Sequence, residues 1–277
     1  MVDWVKLLRP HQWLKNLLLF FPPLLDGTIS HLYVGIQPFI AFCAAASFTY
    51  VVNDIVDIEQ DRLHPRKKDR PLACGRVGIR GALVISGLLL VVSILMALMF
   101  SWELLGWLSA YLGLQVAYSF YLKNQPILDI FSIASGFVIR LFAGSAVFSI
   151  QTSSWLFLSV LLLALFLCAG KRLAEMNTLG GDSQSHRRVL EKYPPGFLEG
   201  VMFMSGSSVL VTYVLYAITR QTLIYSVPIC AYGLFRFVYC VLSGREGDPT
   251  EALLHDHHLL VVAIIWLAMV IGGVYGG

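Results

Sequence analysis

Asn53-Asp54-Ile55-Val56-Asp57-Ile58-Glu59-Gln60-Asp61-Arg62-Leu63-His64-Pro65-Arg66-Lys67-Lys68-Asp69-Arg70-Pro71 is a charged island between two apolar runs. Its carboxylates Asp54, Asp57 and Asp61 are spaced i, i+3 and i+7. On a helix that spacing stacks them within a stripe of roughly 60° at about 100° per residue. Three negative charges on one face repel unless something neutralises them, and hard oxygen ligands suit Mg²⁺. The basic residues that follow (Arg62, Arg66, Lys67, Lys68, Arg70) suit phosphates. An acidic group that takes Mg²⁺ beside a basic group that takes phosphate reads as a diphosphate site. A solvated, salt-bridged loop between two helices is the plainer reading of the same charges.

The surroundings of this island set the fold class. Of the 277 residues 57% are hydrophobic and only 13% charged, with a mean hydropathy of +0.72. A soluble domain of that length carries nearly twice the charge. The expected class is therefore all-α, a polytopic membrane bundle of about nine transmembrane helices around a central cavity open to the cytoplasmic face. One integral-membrane domain spans 1–277, and no cleavable leader is expected. The five cysteines are scattered without a CxxC pair, so neither disulfides nor a zinc site is expected.

The hydrophobic segments lie at approximately 14–25, 34–53, 81–100, 103–122, 126–148, 153–171, 196–218, 222–243 and 258–275. The first is short and broken by Pro22-Pro23. On this map every Lys and Arg except Arg140, Arg236 and Arg220 falls on one side of the membrane. The positive-inside rule puts that side, and the N-terminus, in the cytoplasm of a cell (inner or plasma) membrane protein. Function is expected on that face.

Beyond the acidic island, four features bear on chemistry. Tyr118 and Lys123 close the fourth segment, where a Lys also simply complements the helix dipole. Asp129 and Arg140 share one face of the fifth, and a guanidinium at that depth is costly unless it faces the bundle interior. Lys171, Arg172 and Glu175 end the sixth segment, and they also read as an interfacial ion pair. Arg236 is a second intramembrane guanidinium. The His255-Asp256-His257-His258 run is read against metal binding, because adjacent histidines on a helix point in different directions.

The pattern Asn53-Asp54-x-x-Asp57-x-x-x-Asp61, followed by Arg70-Pro71 and Gly75, resembles the first Asp-rich motif of the UbiA-type intramembrane prenyltransferase superfamily, and Tyr118 with Lys123 resembles its cytoplasmic Tyr…Lys element. The finer pattern looks like the decaprenyl-phosphate phosphoribosyltransferase branch. It comprises Arg9-Pro10-x-Gln12-Trp13-x-Lys15-Asn16, Asp61-Arg62-x-His64-Pro65-x-Lys67-x-x-Arg70-Pro71 and Ala169-Gly170-Lys171-Arg172-x-Ala174-Glu175. Superfamily members usually carry a second Asp-rich motif after the sixth helix. Here that place holds Lys171, Arg172 and Glu175, which suits a donor with an extra phosphate. Cys74 stands where Ser or Ala is usual.

The resemblance implies Mg²⁺-dependent transfer of a 5-phosphoribosyl group from 5-phosphoribosyl 1-diphosphate (PRPP) to a long polyprenyl phosphate, releasing diphosphate. It implies Asn53, Asp54, Asp57 and Asp61 as Mg²⁺ ligands, with Asp54, Asp57 and Asp61 catalytic. It implies Lys67, Arg70, Lys123, Lys171 and Arg172 on phosphates, with Lys15, Arg62, His64, Tyr118, Asp129 and Glu175 also lining the substrates. Arg140 or Arg236 would draw in the acceptor's phosphate. The expected partners are these two substrates and the bilayer, with no nucleic acid; a homo-oligomer stays open. Two other readings compete: a prenyltransferase joining a prenyl diphosphate to an aromatic or other small acceptor, and a transporter with an acidic ion site. Transporters usually place such groups near the midplane in paired repeats, which this sequence lacks.

Overall fold

A computed structural model describes residues 2–63, 67–179, 189–219, 221–244 and 248–275, and among them there is helix and no strand. The chain opens with α1 (Val2–Leu8), a 3₁₀ helix (Pro10–Phe20) and α2 (Phe21–Asp26). Arg9 turns the chain with a left-handed backbone (φ 51) just before Pro10. Pro22 and Pro23 fall in the first turn of α2, where a missing N–H costs little. A 3₁₀ run of 11 residues is far longer than such helices usually sustain alone. Tertiary anchors hold it: Arg140 Nε donates to Asn16 Oδ1 at 2.7 Å, and Trp13 Nε1 donates to Ser47 Oγ at 3.0 Å.

The bundle itself consists of α3 (Ile36–Val56), α5 (Ile79–Phe100), α6 (Trp102–Phe120), α7 (Leu128–Phe148), α8 (Ser154–Leu179), α9 (Phe197–Ile218), α10 (Val227–Leu242) and α12 (His257–Tyr275). Two short helices at one end of the bundle, α4 (Ile58–Leu63) and α11 (Pro249–His255), follow α3 and precede α12. Among the described residues, seven stretches are long and apolar enough to cross a membrane, so the protein is a multi-pass membrane protein. The two remaining expected segments are the 3₁₀–α2 region and α6, which carries Glu103 and Gln115 and is less apolar.

Packing follows the small residues. On α5, Ala82, Ser86, Ser93 and Ala97 are buried, while Val84, Leu88, Val91, Leu95 and Met99 point outward. The facing helix α3 buries Ala41, Ala44, Ala45 and Ser47. With lipid as apolar as leucine, close backbone approach rather than hydrophobic transfer drives such contacts. Helix α7 is the shared strut: Ile130 and Ala134 belong to a core with α8, α9 and α10, and Ala143 and Val147 to a second core with α3 and α6.

An apolar cavity of about 360 Å³ lies among α8, α9, α10 and α12, with Phe21 and Leu25 of α2 also lining it. Leu163 and Leu167 line it from α8, and Pro249 and Leu253 from α11.

Candidate active site

The acidic island folds as expected in outline and differs in detail. Helical hydrogen bonds run through it, from Asp57 N to Asn53 O (3.0 Å) and from Asp61 N to Asp57 O (2.8 Å). The backbone nevertheless opens at Asp57 (φ −97, ψ 7), which separates α3 from α4. The three carboxylates therefore do not share one focus. Asp54 and Asp61 converge on Arg70 NH1, at 3.1 and 2.6 Å, and Asp54 also takes Arg9 NH2 at 2.6 Å. Asp57 turns to Lys123 and to Asn53, whose Nδ2 donates to it at 3.0 Å. The Lys123 ammonium also reaches Asn53 Oδ1 at 3.5 Å.

The expected set of Asn53, Asp54, Asp57 and Asp61 is thus divided between the Arg9–Arg70 pair and Lys123. Among the described residues no three Asp, Glu, His or Cys side chains are assembled as metal ligands. The reason is electrostatic: each buried carboxylate is matched by a side-chain cation instead. The donor chemistry still fits a hard divalent ion, since carboxylates and an amide oxygen stand within two turns with no sulfur or imidazole among them. Burial pushes the Asp61 carboxyl up, Arg70 opposes it, and the neighbouring Asp54 charge pushes the same way as burial.

Arg9 belongs to this cluster although the sequence pattern does not single it out from its motif. Its guanidinium lies over the Tyr50 ring, 5.1 Å from the centroid, and its left-handed backbone aims it at Asp54. The residue before a proline is barred from helix, and that was the available signal. Of the other expected contacts near the island, Lys67 is half-buried and its charge acts on Asp61. Arg62 donates to Ala73 O and pairs with exposed Glu59, away from the aspartates. His64 lies outside the described residues.

Tyr118, Asp129, Arg172 and Glu175 form one closed network. Arg172 grips Asp129 through Nε (2.5 Å) and NH2 (2.9 Å), reaches Tyr118 OH (2.9 Å) and pairs with Glu175 (2.8 Å), while Tyr118 OH donates to Asp129 (3.0 Å). Arg140 is likewise committed. Besides Asn16 it donates to Gly136 O (2.7 Å) and Tyr111 OH (2.9 Å), with its guanidinium 4.4 Å from the Tyr111 ring centroid. Arg236 pairs with Asp256 (2.8 Å), and Asp256 in turn caps α12 through Leu259 N (3.0 Å). These three arginines tie helices together.

Lys171 and Lys15 differ from them. Lys171 Nζ reaches Asp248 Oδ2 at 2.5 Å. Lys15 is half-buried, and its charge acts on both Asp248 and the Tyr50 hydroxyl. Lys171 stands one turn beyond Leu167, the last α8 residue that lines the apolar cavity, and its partner Asp248 directly precedes Pro249, which also lines it. Asp248 was not singled out from sequence; as the residue before Pro249 it carried only the N-cap signal.

A model of the UbiA prenyltransferase family matches residues 26–269. The chain belongs to the UbiA prenyltransferase family. Among its UbiA relatives, the decaprenyl-phosphate phosphoribosyltransferase of Mycolicibacterium smegmatis is 33% identical over 98% of this chain and 92% of its own length. The enzyme of that name from Mycobacterium tuberculosis is 35% identical over 96% and 92%. The UbiA fold is shared with a solved homolog from Archaeoglobus fulgidus bound to DMAPP and Mg²⁺, at a TM-score of 0.75, 16% identity and coverage of 98% and 99%. The family expected from the Asp-rich motif is the one found. Within this UbiA member the place of a second acidic motif holds Lys171 paired with Asp248, and Arg172 buried against Asp129.

Proposed function

We propose that this protein transfers the 5-phosphoribosyl group of PRPP to a polyprenyl phosphate, as the name of its relatives describes. The bond from ribose C1 to the diphosphate oxygen breaks, a bond from C1 to an acceptor phosphate oxygen forms, and diphosphate leaves with the electron pair. In-line attack inverts the anomeric carbon. The acceptor phosphate is already anionic, so no general base is required and catalysis is positioning plus charge neutralisation.

The observation that carries this reading is the pairing of three buried or half-buried acids with Arg9, Arg70 and Lys123 at one end of the bundle. Such pairs are ready to exchange: the cations to a diphosphate, the carboxylates to a metal. Asn53, Asp54, Asp57 and Asp61 would hold Mg²⁺, which when bound neutralises charge on the leaving diphosphate. Arg9, Arg70 and Lys123 bind and orient that diphosphate, with Lys67 at the edge. Lys171 and Lys15, whose charges both act on Asp248, take the acceptor's phosphate, because Lys171 stands one turn beyond Leu167 of the apolar cavity's lining. The first isoprene units then enter the cavity, and the rest of the lipid lies toward the bilayer. Arg140, Arg172 and Arg236 serve structure in this scheme, in place of the phosphate roles expected from sequence. The protein works as one integral domain of the cell membrane, with its charged end in the cytoplasm.

The test is a transfer assay. Purified protein with Mg²⁺, polyprenyl phosphate and labelled PRPP is expected to move label into the organic phase. A protein inactive there but active with prenyl diphosphate and an aromatic acceptor is instead a prenyltransferase, the reading that the Asp-rich motif alone favours.

A further inference from the structure

Asp248 does two things with one carboxylate. Its Oδ2 receives the Lys171 ammonium at 2.5 Å. Its Oδ1 receives Thr250 N at 3.0 Å and Glu251 N at 3.4 Å, capping α11. The side chain is only 14% exposed. Burial pushes the carboxyl up, and the charges of Lys171 and Lys15, with the hydrogen bonds from Lys171 and Thr250, more than reverse that and hold it well below the usual carboxylate range. The next residue, Pro249, lines the apolar cavity, as does Leu253 one turn on.

We propose that Asp248 is a positioning residue for the acceptor: it holds Lys171 at the rim of the cavity and occupies the ammonium that the incoming lipid phosphate must take over. This rests on the phosphoribosyl-transfer reading for the identity of the acceptor, and on the Lys171–Asp248 pair for the rest. An anion already seated on Lys171 competes with a second one, so Asp248 weakens binding of the lipid phosphate. The same anion fixes the ammonium next to Pro249 of the cavity's lining, so it favours the reactive pose. Removing its charge while keeping its cap should therefore separate affinity from turnover. A merely structural residue would change the amount of active enzyme and leave KM alone.

The variant for this is Asp248→Asn, since asparagine caps helices as well as aspartate does. In detergent, with Mg²⁺ and both substrates, D248N is expected to lower KM for polyprenyl phosphate several-fold and to lower kcat, with KM for PRPP unchanged. In a K171M background the D248N effect on KM should vanish, and Asp248→Glu should restore most of the wild-type kcat. D248A, which loses cap and charge together, should add a fall in thermal midpoint that D248N does not show. An unchanged or raised KM for polyprenyl phosphate in folded D248N overturns the proposal, as does an equal effect on PRPP. A binding readout stands apart from turnover: a short-chain prenyl phosphate should raise the thermal midpoint of D248N more than that of the wild type. If the wild type fails to transfer label but this contrast holds, the reaction assignment falls and the role of Asp248 stands.

Discussion

Arg172 holds both oxygens of Asp129, with Nε 2.5 Å from one and NH2 2.9 Å from the other. Neither side chain is more than 2% exposed. Tyr118 closes the ring from α6, so three helices meet on one carboxylate. Removing one partner of a buried ion pair strands the other and costs about 3–5 kcal/mol. Asp129→Asn is expected to lower thermal stability in detergent by an amount in that range. A D129L/R172M double variant, which removes the fully buried pair together and leaves only the partly exposed Glu175 without its arginine, should recover much of it. A substrate-binding role alone would instead leave D129N fully stable and poorly active.

Arg140 and Asn16 lie far apart in sequence and act as one joint between α7 and the 3₁₀ helix. Their variants should be non-additive. In a double-mutant cycle of R140M and N16A, the coupling measured by chemical or thermal unfolding should fall in the range of about 0.5–3 kcal/mol found for residues in contact. Additive losses would mean that the 3₁₀ helix is held by other contacts.

Among the described glycines, Gly144 has the tightest neighbour. A Cβ built there would overlap the carbonyl group of Leu19, which is backbone and cannot swing aside. Gly144→Ala should cost about 1–3 kcal/mol of stability through overpacking. Gly113, where an added Cβ meets nothing, provides the control, and Gly113→Ala should be neutral or slightly stabilising.

Acid should weaken the pairs made by Asp248 and Asp256. Both carboxyls are held well below their ordinary value of 3.8, Asp256 chiefly by its hydrogen bond from Arg236. A carboxyl depressed in the folded state binds fewer protons there than in the unfolded chain. Its stabilisation is full above pH 3.8 and is lost as pH falls toward the folded value. Asp61 has the opposite sign: its carboxyl is raised by burial, so its contribution to stability falls as pH rises above 3.8. The thermal midpoint of D248N should therefore fall less than that of the wild type on acidification below pH 3.8, whereas D61N should gain most near neutrality.

Asp54 and Asp61 should be the most sensitive positions for turnover. Asp61→Asn keeps the shape but removes one of the two carboxylates on Arg70. Loss of one electrostatic group at a reacting centre costs about 10²–10³ in kcat. D61N is expected to lose turnover in that range and to need more Mg²⁺ for half-maximal rate. Asp54→Asn should nearly abolish it. Wild-type turnover of D54N in Mg²⁺ would remove the acidic island from the chemistry.

The fold and family of this protein are written in local features of its chain. Apolar runs long enough to span a bilayer can only be helices, because nothing in lipid satisfies an open backbone. The spacing Asp54, Asp57, Asp61 beside Arg70-Pro71 marks the family for the same reason, since a motif of neighbours is visible in one dimension. The 3₁₀ form of Pro10–Phe20 was not legible, because it depends on distant partners: Ser47 on α3, and Arg140 with the close approach at Gly144 on a helix more than a hundred residues away. The partition of cations was also decided only in three dimensions. Arg140, Arg172 and Arg236 look in sequence like Lys171 and Arg70, yet the first three meet carboxylates and carbonyls that bind helix to helix. Lys171 and Arg70 meet aspartates at the charged end of the bundle, Asp248 for the one and Asp54 with Asp61 for the other. A charge in a low-dielectric interior takes the task of its nearest opposite charge, and only packing decides which one that is.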